Sequence, residues 1–200
     1  MIGQRQTSEA CARNRVPILE VLRVAFARTT RVVEIGAGTG EHAVFFAEGL
    51  PHLVWQATDV AAHLPGIAAW RDAVKLPNLP APLELDVNAP DWPVDTADGV
   101  FTANTLHIMS WHSVRRFFEG VGRVLEPGGV LAIYGPFSHG GEHTAESNSR
   151  FDEFLRARDP RSGVRDWIAV DTLARGQGLS LCGDHAMPAN NRMLIWQRNL

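Results

Sequence analysis

The sequence predicts an α/β fold, a doubly wound and mostly parallel sheet of about seven strands. Three observations predict it. Short β-branched runs alternate with segments whose apolar residues recur at helical spacing, the pattern of βαβ units. A glycine-rich segment, Gly36–Gly40, follows the first such run directly and precedes a helical stretch. No internal repeat, low-complexity tract or Ser/Pro/Gly-rich linker divides the 200 residues, a length suited to one domain.

Each element follows from its own residues. Pro17 reads as the first residue of a helix that carries Ile18, Leu19, Leu22, Ala25 and Phe26. Arg31–Ile35, ending in glycines, is the first buried strand. A helix over 41–50 offers Ala43, Val44, Phe45 and Ala47 for packing, and Leu53–Ala57, stopped by Thr58-Asp59, is the second strand. A helical stretch over 66–74 leads to a third strand, Leu83–Leu85, and Gly99–Ala103 is the fourth. Val114, Phe117, Phe118, Val121 and Leu125 mark one face of an amphipathic helix. Pro127-Gly128-Gly129 breaks it before a fifth strand over Val130–Tyr134. The polar, glycine-rich segment 135–149 is too long for an ordinary connection and is a candidate functional loop. Phe151, Phe154 and Leu155 give a further helix, and Asp171 caps a short one. Leu179–Asp184 with Arg192–Gln197 closes the sheet as an antiparallel hairpin.

Composition bounds the function. Apolar residues make up 45% and charged residues 20%, as in a soluble globular protein. Nineteen basic against 22 acidic residues give a net charge of −3, without the basic footprint of a dedicated nucleic-acid binder. No apolar run of about 18 residues suggests a membrane span. Met1–Arg5 lacks the apolar core of a signal peptide, and Cys11 and Cys182 read as reduced thiols, so a cytoplasmic location is expected.

The stretch Val32-Val33-Glu34-Ile35-Gly36-Ala37-Gly38-Thr39-Gly40 is the most informative. Alternate glycines between a strand and a helix let the backbone turn tightly and approach a ligand closely, and the helix N-terminus beyond favours an anion. The spacing is G-x-G-x-G, not the G-x-G-x-x-G suited to a dinucleotide pyrophosphate, and Glu34 would be unhelpful facing one. Asp59, 19 residues beyond Gly40, stands at the usual reach of a ribose hydroxyl pair. Asp86-Val87 closes the third strand, where a carboxylate accepts from an adenine amine and the valine packs on the ring. Alone, either aspartate reads equally as a turn residue. At the carboxyl ends of adjacent strands, with the glycine loop, they describe an adenosine-containing ligand bearing a carboxylate and a positive centre. S-adenosylmethionine meets that description.

With these residues in place, the chain resembles the class I S-adenosylmethionine-dependent methyltransferases. More closely, it resembles the family called domain of unknown function 938, or methyltransferase-like 26. Matching segments include Arg13-Asn14-Arg15 with Pro17-Ile18-Leu19, Glu34–Gly40, Leu85-Asp86-Val87, Asn104 with His107-Ile108 and Trp111, Tyr134-Gly135-Pro136-Phe137, Ser147-Asn148, and Met187-Pro188-Ala189-Asn190-Asn191. The resemblance implies a Rossmann-like class I methyltransferase fold with a reversed last strand, and S-adenosylmethionine as cosubstrate with S-adenosylhomocysteine as product. One domain over 1–200 is expected, with a leader and helix over 1–30 and an insertion over 135–170 covering the pocket. Carried onto this chain, Glu34, Gly36, Ala37, Gly38 and Gly40 would line the methionine moiety. Asp59, with Val60 beside it, would hold the ribose, and Asp86 with Val87 the adenine. Asn104, Thr105 and Leu106 would sit beneath the sulfonium, and Asn14 and Arg15 in the leader would fold over the cofactor, the arginine pairing with its carboxylate.

Methyl transfer is an in-line displacement, so the protein supplies alignment, exclusion of water and, where needed, removal of a proton. His107, just past the fourth strand and of a type that titrates near neutrality, is the base candidate. Tyr134 ends the fifth strand and would position an acceptor. Trp111, Asn148, Asp152, Asn190 and Asn191 join these two as the substrate set. His139-Gly140-Gly141-Glu142-His143 spells H-x-x-E-H, but two adjacent glycines, each costing a helix about 1 kcal/mol, oppose the helix a zinc site needs, so no metal is expected. Asn104-Thr105-Leu106-His107 departs from the Asn/Asp-Pro-Pro-aromatic signature of amide or base amino methylation. The expectation is an enzyme, monomer or homodimer, that O- or N-methylates a small molecule without nucleic-acid or membrane partners. The alternatives are a protein that binds S-adenosylmethionine as a regulator or partner subunit, and a nicotinamide enzyme, which the loop spacing opposes.

Overall fold

The computed structural model describes residues 5–200, so the signal-peptide expectation for Met1–Arg5 falls outside the described residues at its first four positions. Helix α1 (Glu9–Ala25) precedes strand β1 (Arg31–Ile35), helix α2 (Glu41–Gly49), strand β2 (Val54–Asp59) and helix α3 (Leu64–Val74). Strands β3 (Leu83–Glu84) and β4 (Ala97–Ala103) lead to helix α4 (Trp111–Val124) and strand β5 (Leu125–Gly135). Three short strands follow, β6 (Phe137–His139), β7 (Glu142–His143) and, after helix α5 (Glu146–Arg158), β8 (Arg165–Asp166). Helix α6 (Trp167–Gly176), strand β9 (Leu179–Met187), a 3-10 turn (Pro188–Asn190) and strand β10 (Asn191–Arg198) complete the order.

Seven strands form one sheet in the order β3-β2-β1-β4-β5-β10-β9, parallel from β3 to β5, with β10 antiparallel to both of its neighbours. The expected doubly wound sheet with its antiparallel closing hairpin is therefore present. Side chains alternate between faces along each strand, so both faces must be covered. Val33, Val100, Leu131 and Leu194 pack with Phe117, Phe118 and Val121 of α4 and Val170 of α6. Their immediate neighbours Val32, Phe101, Ala132 and Ile195 pack on the other face with Ile18 and Leu22 of α1, Phe46 of α2 and Ile67 of α3. The strand order reverses between β1 and β4, which opens a crevice at their carboxyl ends, the ligand position of such sheets.

Three expectations are corrected. Pro17 does not begin α1 but lies inside it, because Ser8, whose Oγ accepts from Cys11 N at 3.4 Å, caps the helix earlier. Segment 135–149 is not a bare loop, since β6 pairs with β7 and β8 in a second, three-stranded sheet and α5 begins at Glu146. Asp166, not Asp171, caps α6 by accepting from Ile168 N at 2.8 Å. Asp171 lies within the helix and accepts from Trp196 Nε1 at 2.9 Å. Among the described residues no helix is long and apolar enough to cross a membrane.

Candidate active site

Where β1 ends, the backbone makes a left-handed path that only glycine follows without strain: φ is +75° at Gly36, +58° at Gly38 and +89° at Gly40. Gly36 N and Ala37 N both donate to Thr58 O at 3.0 Å, which ties the loop to β2. A Cβ on Gly36 would lie 2.8 Å from Thr105 Cγ2, and one on Gly40 2.8 Å from Ile67 Cα. At Gly38 a Cβ would meet nothing within 4 Å, so that glycine faces open space.

Asp59, at the end of β2, latches this loop. Its Oδ2 accepts from Gly38 N at 2.7 Å, while Oδ1 accepts from Val60 N at 2.7 Å and contacts His63 Nδ1 at 2.9 Å. A carboxylate offers about four acceptor sites, so the expected double acceptance from a ribose requires one of these partners to leave. His63 is the partner that water can replace, with its side chain 54% exposed.

Two cavities adjoin here. A cavity of about 270 Å³ is bounded by Gly36–Thr39, Asp59, His63 and the Ala103–Thr105 turn, under Cys11 and His42. A larger one of about 530 Å³ is walled by His107, Tyr134, Pro136, Asn148, Phe151 and Asn191. Ser8, Ala10 and Asn104 border both. Asn104 holds its place through a left-handed backbone, φ +57°, and its N donates to Tyr134 O at 2.8 Å.

Several residues singled out from the sequence thus converge: Gly36, Ala37, Gly38, Asp59 and Thr105 on the smaller cavity, Asn14, His107, Tyr134, Asn148 and Asn191 on the larger, Asn104 on both. Others lie elsewhere. Glu34 is 1% exposed beneath the loop and accepts from Trp55 Nε1 at 2.8 Å. Arg15 is not turned to the crevice; its guanidinium lies 4.8 Å from the centre of the Phe45 ring. Gly40 packs on Ile67, Val60 is exposed, and Leu106 and Val87 are buried in the core. Asp86 is exposed and closes a turn by accepting from Asn88 N and Nδ2 at 2.9 Å. Trp111 borders neither cavity and lies against Arg165, 5.9 Å from ring centre to guanidinium. Asp152 is spent on Val164 N at 2.6 Å and Arg156 Nε at 2.8 Å. Asn190 is exposed, and its amide donates to Ser147 Oγ at 2.9 Å. His139-Gly140-Gly141-Glu142-His143 runs through the β6–β7 hairpin, not a helix, and His139 stacks on Trp167 at 5.2 Å.

Burial sets the electrostatics. His107 lies edge-on to Phe151 at 5.2 Å, and desolvation, helped by the charge of Arg165, pushes it down to about 4. The expectation that it titrates near neutrality is therefore corrected; it is a neutral imidazole throughout that range. His42, bonded through Nε2 to Asn14 Oδ1 at 2.8 Å, is pushed to about 4 by burial and by Arg15. Burial raises Glu34 to about 7 against the pull of its Trp55 bond, and raises the Tyr134 hydroxyl, whose partners Asn14 and Asn191 oppose the rise.

The sequence reading missed Ser8, Arg13 and His63 on the cavity walls, and Arg165 behind them. Ser8 carried a signal, an N-cap residue followed by an acidic first turn. Arg165, with Asp166, belongs to the segments that carry the family resemblance, but the resemblance assigns it no role. Its Nε donates to Leu106 O at 3.1 Å and its Nη2 to Met109 O and Arg161 O, so it pins the segment that bears His107.

A family model described as "Protein of unknown function (DUF938)" matches residues 5–198. An O-methyltransferase family protein from Burkholderia thailandensis superposes with a TM-score of 0.83 at 20% identity, over 96% of this chain and 58% of that one. The S-adenosylmethionine-dependent methyltransferase SibL, in its apo form, gives 0.80 at 20% identity, over 96% and 56%. Human N-acetylserotonin methyltransferase in complex with S-adenosylmethionine gives 0.73 at 14% identity, over 93% and 55%. The chain spans just over half the length of these structures, and the likeness is one of fold, that of the class I methyltransferases.

Proposed function

The chain belongs to the DUF938 family, and from that premise we propose that it is an enzyme that transfers a methyl group from S-adenosylmethionine to a small-molecule acceptor. The observation that carries the reading is the pair of adjoining cavities at the sheet's reversal, one against the glycine loop and one against His107 and Tyr134, with Asn104 on both. A loop that leaves open space at Gly38, next to a carboxylate that can accept from a ribose pair once His63 turns away, fits a nucleoside. When bound, S-adenosylmethionine supplies a methyl group activated by its sulfonium. Everything else falls to the chain. Gly36–Gly38 and Asp59 hold the nucleoside, with His63 giving up its place on Asp59. Asn104 and Thr105 lie on the path to the acceptor, and Tyr134, held by Asn14 and Asn191, orients it. His107 offers a neutral nitrogen to a departing proton, and the insertion over 135–170 keeps water out.

Calorimetric titration with S-adenosylhomocysteine tests the binding half. The wild type is expected to bind, Asp59→Ala to bind about tenfold or more weakly, and Gly38→Trp to lose binding with its circular dichroism unchanged. Normal binding by both variants overturns the site. Binding without transfer of labelled methyl to any small-molecule panel member would leave a regulatory or partner protein instead.

A further inference from the structure

The lining of the larger cavity carries a fixed positive charge, and the cavity's role as the acceptor's pocket rests on the proposed methyl transfer. We propose that this cavity takes a small organic anion, a one- or two-ring carboxylic acid whose charge is held by Arg13. Among its described lining residues Arg13 is the one with a fixed charge, and no aspartate or glutamate borders it. Asn148 gives its N–H groups to Thr144 Oγ1 and Asn190 O, Asn191 donates to Pro188 O and Asn14 partners Tyr134, so among the wall's carboxamides Asn104 is the one that can add a donor. Phe151 and Pro136 offer an apolar wall to a ring, and about 530 Å³ is room for such a molecule.

Arg13 is available for this task. Its partner is Glu9 at 3.4 Å, with side chains 69% and 95% exposed, and a surface pair of that kind holds a guanidinium only weakly. Asp152, an acidic side chain of the neighbouring α5, is taken up by Val164 N and Arg156. An ammonium would find no counter-charge here; a carboxylate finds one.

The test is calorimetry with benzoate and its neutral counterpart benzamide, on protein saturated with S-adenosylhomocysteine and on free protein. Benzoate is expected to bind about tenfold more tightly than benzamide at low salt, and the gap to close in about 0.5 M salt and in Arg13→Gln. Equal binding of the two, or a gap that survives in Arg13→Gln, overturns the inference. So does a loss of S-adenosylhomocysteine affinity in that variant as large as the loss for benzoate, which would assign Arg13 to the nucleoside. If S-adenosylhomocysteine fails to bind while free protein still prefers benzoate, the anion site stands and the methyl-transfer reading falls.

Discussion

His107 shows how one residue's surroundings alter the role its type suggests. An imidazole past the end of β4 invites a general base tuned near neutrality, yet desolvation beside Phe151 and the charge of Arg165 put it at about 4. At pH 7 it is fully in its proton-accepting form but accepts weakly, which places its contribution at the low end of general-base catalysis, about a hundredfold. On the proposed reading, His107→Ala lowers kcat by about that factor while S-adenosylhomocysteine affinity, measured by calorimetry, changes less than about twofold. The wild-type pH–rate profile is expected to lack an inflection near the ordinary histidine value and to fall only toward about 4. An inflection near neutrality that vanishes in His107→Ala would contradict the burial argument.

At the scale of elements, the segment leaving β4 is held from outside by β8 and the turn before it. Arg165 donates to the carbonyls of Leu106, Met109 and Arg161, Gly163 N donates to His107 O at 2.9 Å, and Ser162 Oγ to Ile108 O at 3.1 Å. Arg165→Met leaves three carbonyls short of a donor and is expected to cost about 2–4 kcal/mol, read as a lower urea midpoint at unchanged slope. It also removes a positive charge, so His107 should move up toward its ordinary value and carry the pH–rate profile with it. An unchanged midpoint would show the clamp to be idle. Nothing in the sequence marks this buttress, because β6, β7 and β8 are two or three residues long and show no period. Elements that bury a face were readable, β1 with its expected bounds and α2, β4 and α4 close to theirs, whereas β5 begins at Leu125 and runs through the Pro127-Gly128-Gly129 segment expected to precede it. Pro17 misled because a proline inside a helix and one at its first turn look alike in sequence. The glycine loop was readable at Gly36 and Gly38, where backbone conformation dictates residue type. Which of Arg13 and Arg15 reaches the crevice was not, since that depends on helix phase and on the Phe45 ring.

For the molecule as a whole, three buried groups make stability depend on pH in opposing senses. His42 and His107, lowered from 6.5 to about 4 by folding, bind protons in the unfolded chain first, so each contributes stability above 6.5 that is lost as pH falls toward 4. Glu34, raised from 4.5 to about 7, binds its proton in the folded chain first, so its contribution is present below 4.5 and lost as pH rises through 7. Between 4.5 and 6.5 the unfolded chain therefore holds two extra protons and the folded chain one. The difference of one proton destabilises the fold by about 1.4 kcal/mol for each pH unit of acidification, half of what the histidines alone would impose. Glu34→Gln removes the compensation while its amide oxygen still accepts from Trp55 Nε1. Urea unfolding at several pH values should then show about twice the wild-type slope below 6.5. At pH 8, where the wild type buries a charge, the variant should be the more stable by about 3 kcal/mol, and near pH 5 the two should nearly coincide. Parallel curves for Glu34→Gln and the wild type would mean that Glu34 does not exchange its proton on folding, and that the loop rests on a permanently charged strand end.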